Sequence, residues 1–222
     1  MIVSIHVPKT AGTAFQQLLS NQFGSRLLLE NGDRPLAPGY LVRSLRRTAK
    51  RWAGQTEFDP SRYDCIHGHF LARRFDYLGK VRRIIWLRDP VQRVASHYHY
   101  WKRVPDMRNA DCRLMIEKNM SLVQFAALPR MRNVQARFVD GCRLSDFAFI
   151  GLFENIDESL SRLSAATGID ASSLPRSNAN AEKSGDKYPI SDAQAQRVFG
   201  LNKRDEKLYA EALSHLGIGR SK

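Results

Sequence analysis

Cysteine is scarce in this chain. Cys65, Cys112 and Cys142 are odd in number, far apart and form no CxxC pair. That fits a reducing compartment better than a disulfide framework. No apolar run approaches the length of a membrane span, and the stretch Phe147 to Phe153 falls far short of it. No basic segment precedes the apolar residues that begin at Ile2, so the start of the chain does not read as a signal peptide. The expected address is cytoplasmic, peripheral at most to the inner membrane surface. Negative charge is also in deficit: 22 Asp and Glu stand against 35 Lys and Arg, a net charge of +13. Two further things are missing, a Walker A loop (GxxxxGK[ST]) and a carboxylate cluster suited to Mg²⁺.

What is present describes one globular unit. Of 222 residues, 43% are hydrophobic and 26% charged, enough for a sizeable core and against disorder. The excess of positive charge attracts polyanions: nucleotides, nucleic acid, acidic glycans or a membrane surface. Strand and helix signals alternate, which predicts an α/β fold with a central, mostly parallel sheet flanked by helices. Strands are expected over Met1–Val7, Arg26–Leu29, Tyr63–Ile66, Arg83–Leu87 and Phe147–Phe153, with "RIIWL" the central one. Helical spacing joins Phe15, Leu18, Leu19 and Phe23, with Gly24 as the C-terminal cap. Leu41–Trp52 reads as a helix. Asp89-Pro90 opens another, which buries Val91, Val94, Ala95, Tyr98 and Trp101. Ser121 and Gln124 form a capping box for a helix that stops near Pro129, and a second helix runs to Asp140-Gly141. Residues 31–39 and 176–189 read as loops.

Three stretches carry chemistry. "IHVPKTAGTAF" (Ile5–Phe15) is strand, short loop, then helix, a ready anion site made of backbone N–H groups and a helix N-terminus. Lys9 adds charge and Thr10 and Thr13 add hydroxyls. Lys9 precedes Gly12 rather than following it, so the loop does not fit a nucleoside triphosphate. The second stretch is "RRIIWLRDPVQRVASHYHYW". Arg88 stands at the carboxyl end of a strand, where α/β sheets bind ligands. Gln92, Arg93, Ser96 and Arg103 share the helix face opposite Val91, Val94 and Ala95, so Ser96 can join Arg88 on one phosphate. The alternative is that Arg88 pairs with Asp89 or another carboxylate. The third stretch is "YDCIHGHF", where strand alternation points His67 and His69 to one side. Either histidine suits proton abstraction near neutrality. Cys65, His67 and His69 supply only three candidate metal ligands, so no metal is expected. His6 reads as a packing residue, and His97 and His99 as partly exposed on their helix.

Together these stretches resemble the sulfotransferases that use 3′-phosphoadenosine 5′-phosphosulfate (PAPS). "PKTAGT" resembles the family's 5′-phosphosulfate loop, which implies that Lys9, Thr10, Ala11, Gly12 and Thr13 bind that end of PAPS. Arg88 and Ser96, eight residues apart after a strand, resemble its 3′-phosphate site. "HGH" followed by "LRDPVQRVASHYHYW" is similar to the carbohydrate branch that includes heparan sulfate 2-O-sulfotransferases. "NVQARFV", "IGLFENIDESL", the "NAN" loop and "RDEKLYAEAL" have counterparts too, so the likeness runs from about Ile2 to Leu213. It implies a P-loop-like three-layer fold, one sulfotransferase domain over residues 1–222, and transfer to a carbohydrate hydroxyl without a metal. Lys9 would steady the leaving phosphate, and His69 or His67 would act as base. The segment around Lys183 and Ser184 resembles the loop that closes over the 3′-phosphate.

The chain departs from eukaryotic members in having no membrane anchor and no evident disulfide, which points to a bacterial-type enzyme. It is short, so a heparan-like acceptor is not carried over, and Val104–Lys118 is the expected acceptor-side segment. Arg43, Arg46, Arg47, Lys50 and Arg51 form a basic stripe at helical spacing, either a solvated face or a holder of an acidic or lipid-linked glycan. Nucleic acid is not the expected partner, because aromatics do not interleave with this stripe. Two competing functions stay open: a kinase on a P-loop-like fold, and a non-enzymatic polyanion binder.

Overall fold

The computed structural model describes residues 1–55, 58–171 and 187–219. Five strands form one parallel sheet: β1 (Ile2–Ile5), β2 (Leu27–Glu30), β3 (Cys65–Gly68), β4 (Arg82–Leu87) and β5 (Phe147–Leu152), in the order β2-β3-β1-β4-β5. Each strand is short, and β1 and β3 are buried throughout, as strands of a parallel sheet covered on both faces are. The order places β1 at the centre. The "RIIWL" strand, β4, lies beside it and is paired on both sides, with β1 and with β5, so it is a central strand as its hydrophobicity predicts.

Side-chain alternation divides the core into two layers. Val3, Ile5, Ile85 and Leu87 pack on one face with Phe70, Phe138 and Leu213. Ile2, Ile84 and Trp86 pack on the other with Phe15, Leu18, Leu19 and Leu163. The second face is covered by α1 (Gly12–Phe23) and α7 (Ile156–Thr167). Against the first lie α6 (Val134–Phe138) and α9 (Lys203–His215). Each such side chain contributes about 1.5–3 kcal/mol when fully buried. The result is the three-layer α/β fold that the sequence predicts.

A third apolar cluster joins α3 (Pro90–Arg103), α4 (Ala110–Glu117), α5 (Leu122–Ala127) and α8 (Asp192–Leu201) through Val94, Trp101, Met115, Phe125 and Val198. Of the expected acceptor-side segment 104–118, residues Ala110–Glu117 form a helix. Asn109 caps α4, and Cys112 and Met115 are buried within the cluster. The Ser121–Gln124 capping box is formed at α5, and Asp89 caps α3 ahead of Pro90, as their sequences predict. The second helix expected before Asp140 contracts to the five residues of α6. The strand expected at Tyr63–Ile66 shifts into the histidine motif, because pairing with β1 runs from Cys65 to Gly68. Helix α2 (Tyr40–Trp52) follows β2. Lys183 and Ser184 lie outside the described residues.

Candidate active site

The segments that follow the carboxyl ends of β1, β3 and β4 meet at one end of the sheet. After β1 the chain turns through His6–Ala11 before α1 begins. Within this turn Lys9 and Ala11, neither of them glycine, both hold φ of 72°. Left-handed backbone costs such residues roughly 1–2 kcal/mol each, a strain that clusters at ligand sites. The Thr10 hydroxyl donates to the Val7 carbonyl at 2.9 Å and pins the turn from inside. Ala11 is the N-cap residue of α1 and offers no side-chain cap. The first N–H groups of the helix therefore have no acceptor from that side chain, and an anion is a natural acceptor for them.

Gly12 is required for a steric reason. A Cβ there would lie 1.7 Å from Nε2 of His6, so the loop crosses directly over that imidazole. His6 in turn stacks on His69 at 4.1 Å and on His67 at 5.2 Å, so the phosphate-loop candidate and the His-Gly-His strand form one cluster. His69 Nδ1 donates to the His6 carbonyl at 2.7 Å. His67 Nδ1 lies 2.8 Å from the Ser4 hydroxyl, and its ring packs edge-on against Phe15. Burial lowers the pKa of all three rings. His67 falls to about 3, by burial first and the nearby His69 second. His6 is held well below the ordinary value by burial, with His69, His67 and Lys9 adding to it. His69 is lowered by burial, opposed by its bond to the His6 carbonyl. At neutral pH the cluster is uncharged.

The end of β4 supplies the cation. Arg88 is buried and its Nη1 donates to the Lys9 carbonyl at 3.3 Å, across 79 residues of sequence. Its backbone is clamped by Gln135, which accepts from Arg88 N–H at 2.9 Å and donates to the Arg88 carbonyl at 2.8 Å. The guanidinium lies 4.1 Å over the Phe153 ring, and Nε is 3.8 Å from Glu154 Oε1. Glu154 also accepts from the Asp89 N–H and from the Tyr209 hydroxyl at 2.8 Å. Burial raises its pKa, opposed by the Tyr209 bond and then by Arg88. The alternative of carboxylate pairing for Arg88 is thus realised, with Glu154 as the carboxylate.

The α3 helix places the rest. Ser96 is buried on it, and the Lys9 ammonium stands 3.8 Å over the Tyr100 ring. Of the four residues expected to share one face of α3, Arg93 and Ser96 are buried, Gln92 is half-buried and Arg103 is exposed. Arg93 is fully buried, with Nη2 donating to the Met131 carbonyl at 3.1 Å and Nε 3.9 Å from Asp205. Burial pulls its pKa down to about 10, with Asp205 resisting. Gln92 bonds both backbone groups of Tyr188. His97 is buried against Trp101 and Phe125 rather than partly exposed, because α5 covers its side of the helix. His99 stacks on Tyr188 with rings 4.8 Å apart and nearly parallel.

Among the described residues no group of three His, Cys, Asp or Glu side chains is placed to hold a metal. Cys65, buried under α1, has its thiol pushed up to about 12 by burial. Gln135, Glu154, Tyr100 and Tyr209 lie in stretches quoted for the resemblance, but the sequence assigned them no role at the site.

No protein-family model and no curated protein matches the chain. Solved structures similar to it include a sulfotransferase from Alicyclobacillus acidocaldarius, at 13% identity and TM-score 0.47, covering 99% of this chain and 96% of that one. A mouse sulfotransferase, SULT7A1, complexed with PAP is similar at 12% identity and TM-score 0.39, over 93% of this chain and 66% of that one. A retinol dehydratase in complex with androsterone and inactive cofactor PAP is similar at 12% identity and TM-score 0.30, over 93% and 64%.

Proposed function

We propose that the protein is a PAPS-dependent sulfotransferase that acts on a carbohydrate hydroxyl. The observation that carries the proposal is the contact of Arg88 with the Lys9 carbonyl. It joins the two stretches whose sequences resemble the 5′-phosphosulfate and 3′-phosphate motifs. PAPS brings an activated sulfuryl group whose leaving group is an adenosine bisphosphate. The turn N–H groups of Gly12 and Thr13, with Lys9, Thr10 and Ala11 shaping the turn, cradle the 5′ end. Lys9 leaves the Tyr100 ring to meet the oxygen on which charge develops. Arg88 and Ser96 take the 3′-phosphate, Arg88 exchanging Glu154 for the stronger anion.

His69 is the base in this reading. Its proton sits on Nδ1, so Nε2 is free to accept the acceptor's hydroxyl proton as the oxygen bonds to sulfur and the bond to the 5′-phosphate breaks. His67, 1% exposed and tied to Ser4, orients the cluster instead. The carbohydrate acceptor rests on the sequence resemblance around His-Gly-His, and an acidic or lipid-linked glycan suits the net charge of +13. The buried thiols of Cys65 and Cys112 suit a cytoplasmic enzyme.

Thermal shift with adenosine 3′,5′-bisphosphate, AMP and ATP tests the proposal, because a ligand that binds only the native state raises its apparent stability. Selective stabilisation by the 3′,5′-bisphosphate is expected. Stabilisation by ATP alone overturns the proposal in favour of a kinase, and no response to any nucleotide favours a polyanion binder.

A further inference from the structure

Helix α2 is amphipathic, and it is mounted with the faces reversed. Leu41, Val42, Leu45, Ala49 and Trp52 fall on one side of the helix, and Arg43, Arg46, Arg47, Lys50 and Arg51 on the other. A helix that packs on a domain turns its apolar stripe inward. Here Leu41 is 75% exposed, Leu45 70% and Trp52 88%, and no residue of the helix is buried. The basic side is the one that is anchored. Arg47 is ion-paired with Asp33, which is itself buried and also faces Arg74 at 3.4 Å. Arg43 donates to the carbonyls of Pro38 and Arg34, and the Arg51 guanidinium lies 4.2 Å over the Tyr77 ring. Arg46 and Lys50 remain exposed beside the apolar stripe.

We propose that this apolar face docks on an anionic lipid bilayer surface. Leu41, Leu45 and Trp52 enter the boundary between headgroups and acyl chains, and Arg46 and Lys50 meet the lipid phosphates. Three observations select this occupant. The face is aliphatic with a tryptophan at its end, the make-up of a helix that lies in the interface plane. Between Asp33 and Glu57 the sequence contains no carboxylate, so nothing on this segment repels an anionic surface. A second copy fits less well, because it would bring a chain of charge +13 against another of the same charge. Nucleic acid fits less well again, because three of the five cations are committed to the protein's own body. The inference is independent of the reaction performed at the loop.

Trp52 reports on the face directly, since Trp86 and Trp101 are buried. The test mixes the full chain with vesicles of phosphatidylcholine alone or with phosphatidylglycerol added. It follows sedimentation with the vesicles and tryptophan emission. With anionic vesicles the expected result is co-sedimentation and a blue shift. Leu41→Glu with Leu45→Glu weakens sedimentation on the order of tenfold or more. Trp52→Phe still sediments but loses the shift. These substitutions replace exposed side chains, and circular dichroism checks that the fold is kept. Three results overturn the proposal: no sedimentation of the wild type at low salt, undiminished sedimentation of the double variant, or a dimer in light scattering that Leu45→Glu disperses.

Discussion

The Nδ1 of His69 stands 2.7 Å from the carbonyl oxygen of His6. A carbonyl only accepts, so this bond fixes the imidazole proton on Nδ1 and leaves the Nε2 lone pair for an incoming proton. The residue that sets this tautomer lies at the end of β1, and the ring that it orients follows β3. The parallel pairing of β1 with β3, with His6 N–H bonded to the Gly68 carbonyl at 2.8 Å, holds the two in register.

His69→Ala is therefore expected to lower kcat by about 10²–10⁴-fold, the range of general-base catalysis. Affinity for adenosine 3′,5′-bisphosphate is expected to stay within a few-fold of wild type. Calorimetric titration beside a single-turnover assay separates the two. Lost nucleotide binding with the fold intact would assign His69 to the phosphate site instead.

Arg88→Ala should weaken the 3′,5′-bisphosphate by about 1.5–3 kcal/mol, the usual contribution of a charge-assisted hydrogen bond, while leaving AMP nearly unaffected. The discriminating quantity is the ratio of the two dissociation constants in wild type and variant. If wild type binds both ligands equally, Arg88 does not read the 3′-phosphate. The companion change Glu154→Gln removes the competing carboxylate and should tighten the bisphosphate.

Gly12→Ala introduces a methyl group 1.7 Å from the His6 ring. Overpacking of this kind costs about 1–3 kcal/mol, so a lower melting temperature and a distorted turn are expected. Adding His6→Ala makes room for the methyl. The double variant should then recover part of the stability that the single variant loses, in a double-mutant cycle. Strict additivity of the two changes would show that the ring and the loop do not press on each other.

The buried histidines link stability to pH. The unfolded chain binds a proton near pH 6.5 that native His67 refuses until about pH 3. Stability from this group is thus full above pH 6.5 and falls as pH drops toward 3, at a limiting slope of about 1.4 kcal/mol per unit. His6 and His69 act in the same direction. Urea unfolding between pH 7 and pH 5 should show a falling midpoint at constant m-value, and His67→Gln should flatten the curve. A midpoint independent of pH in wild type would mean that His67 titrates normally and is solvated.

The sequence by itself determined the elements and their punctuation. Alternating apolar runs specified parallel strands and covering helices. Asp89-Pro90, Ser121 with Gln124, and Gly24 marked helix ends, because capping is a local transaction between a side chain and the nearest N–H groups. The loop at Lys9–Thr13, Arg88 and the His-Gly-His pair stood out as candidates for the same reason: residue type and spacing suffice to suggest an anion site or a base. What only the tertiary structure decided is who meets whom. Nothing along the chain says that Arg88 touches the Lys9 carbonyl, that Glu154 faces Arg88, that Asp205 lies under Arg93, or that His67 is sealed behind Ser4 while His69 is not. Helix α2 shows the limit most clearly, since its periodicity yields two faces but not which one is turned inward. Buried Asp33 made that choice, because a carboxylate taken out of water needs cations close by, and Arg47 with Arg74 supplied them.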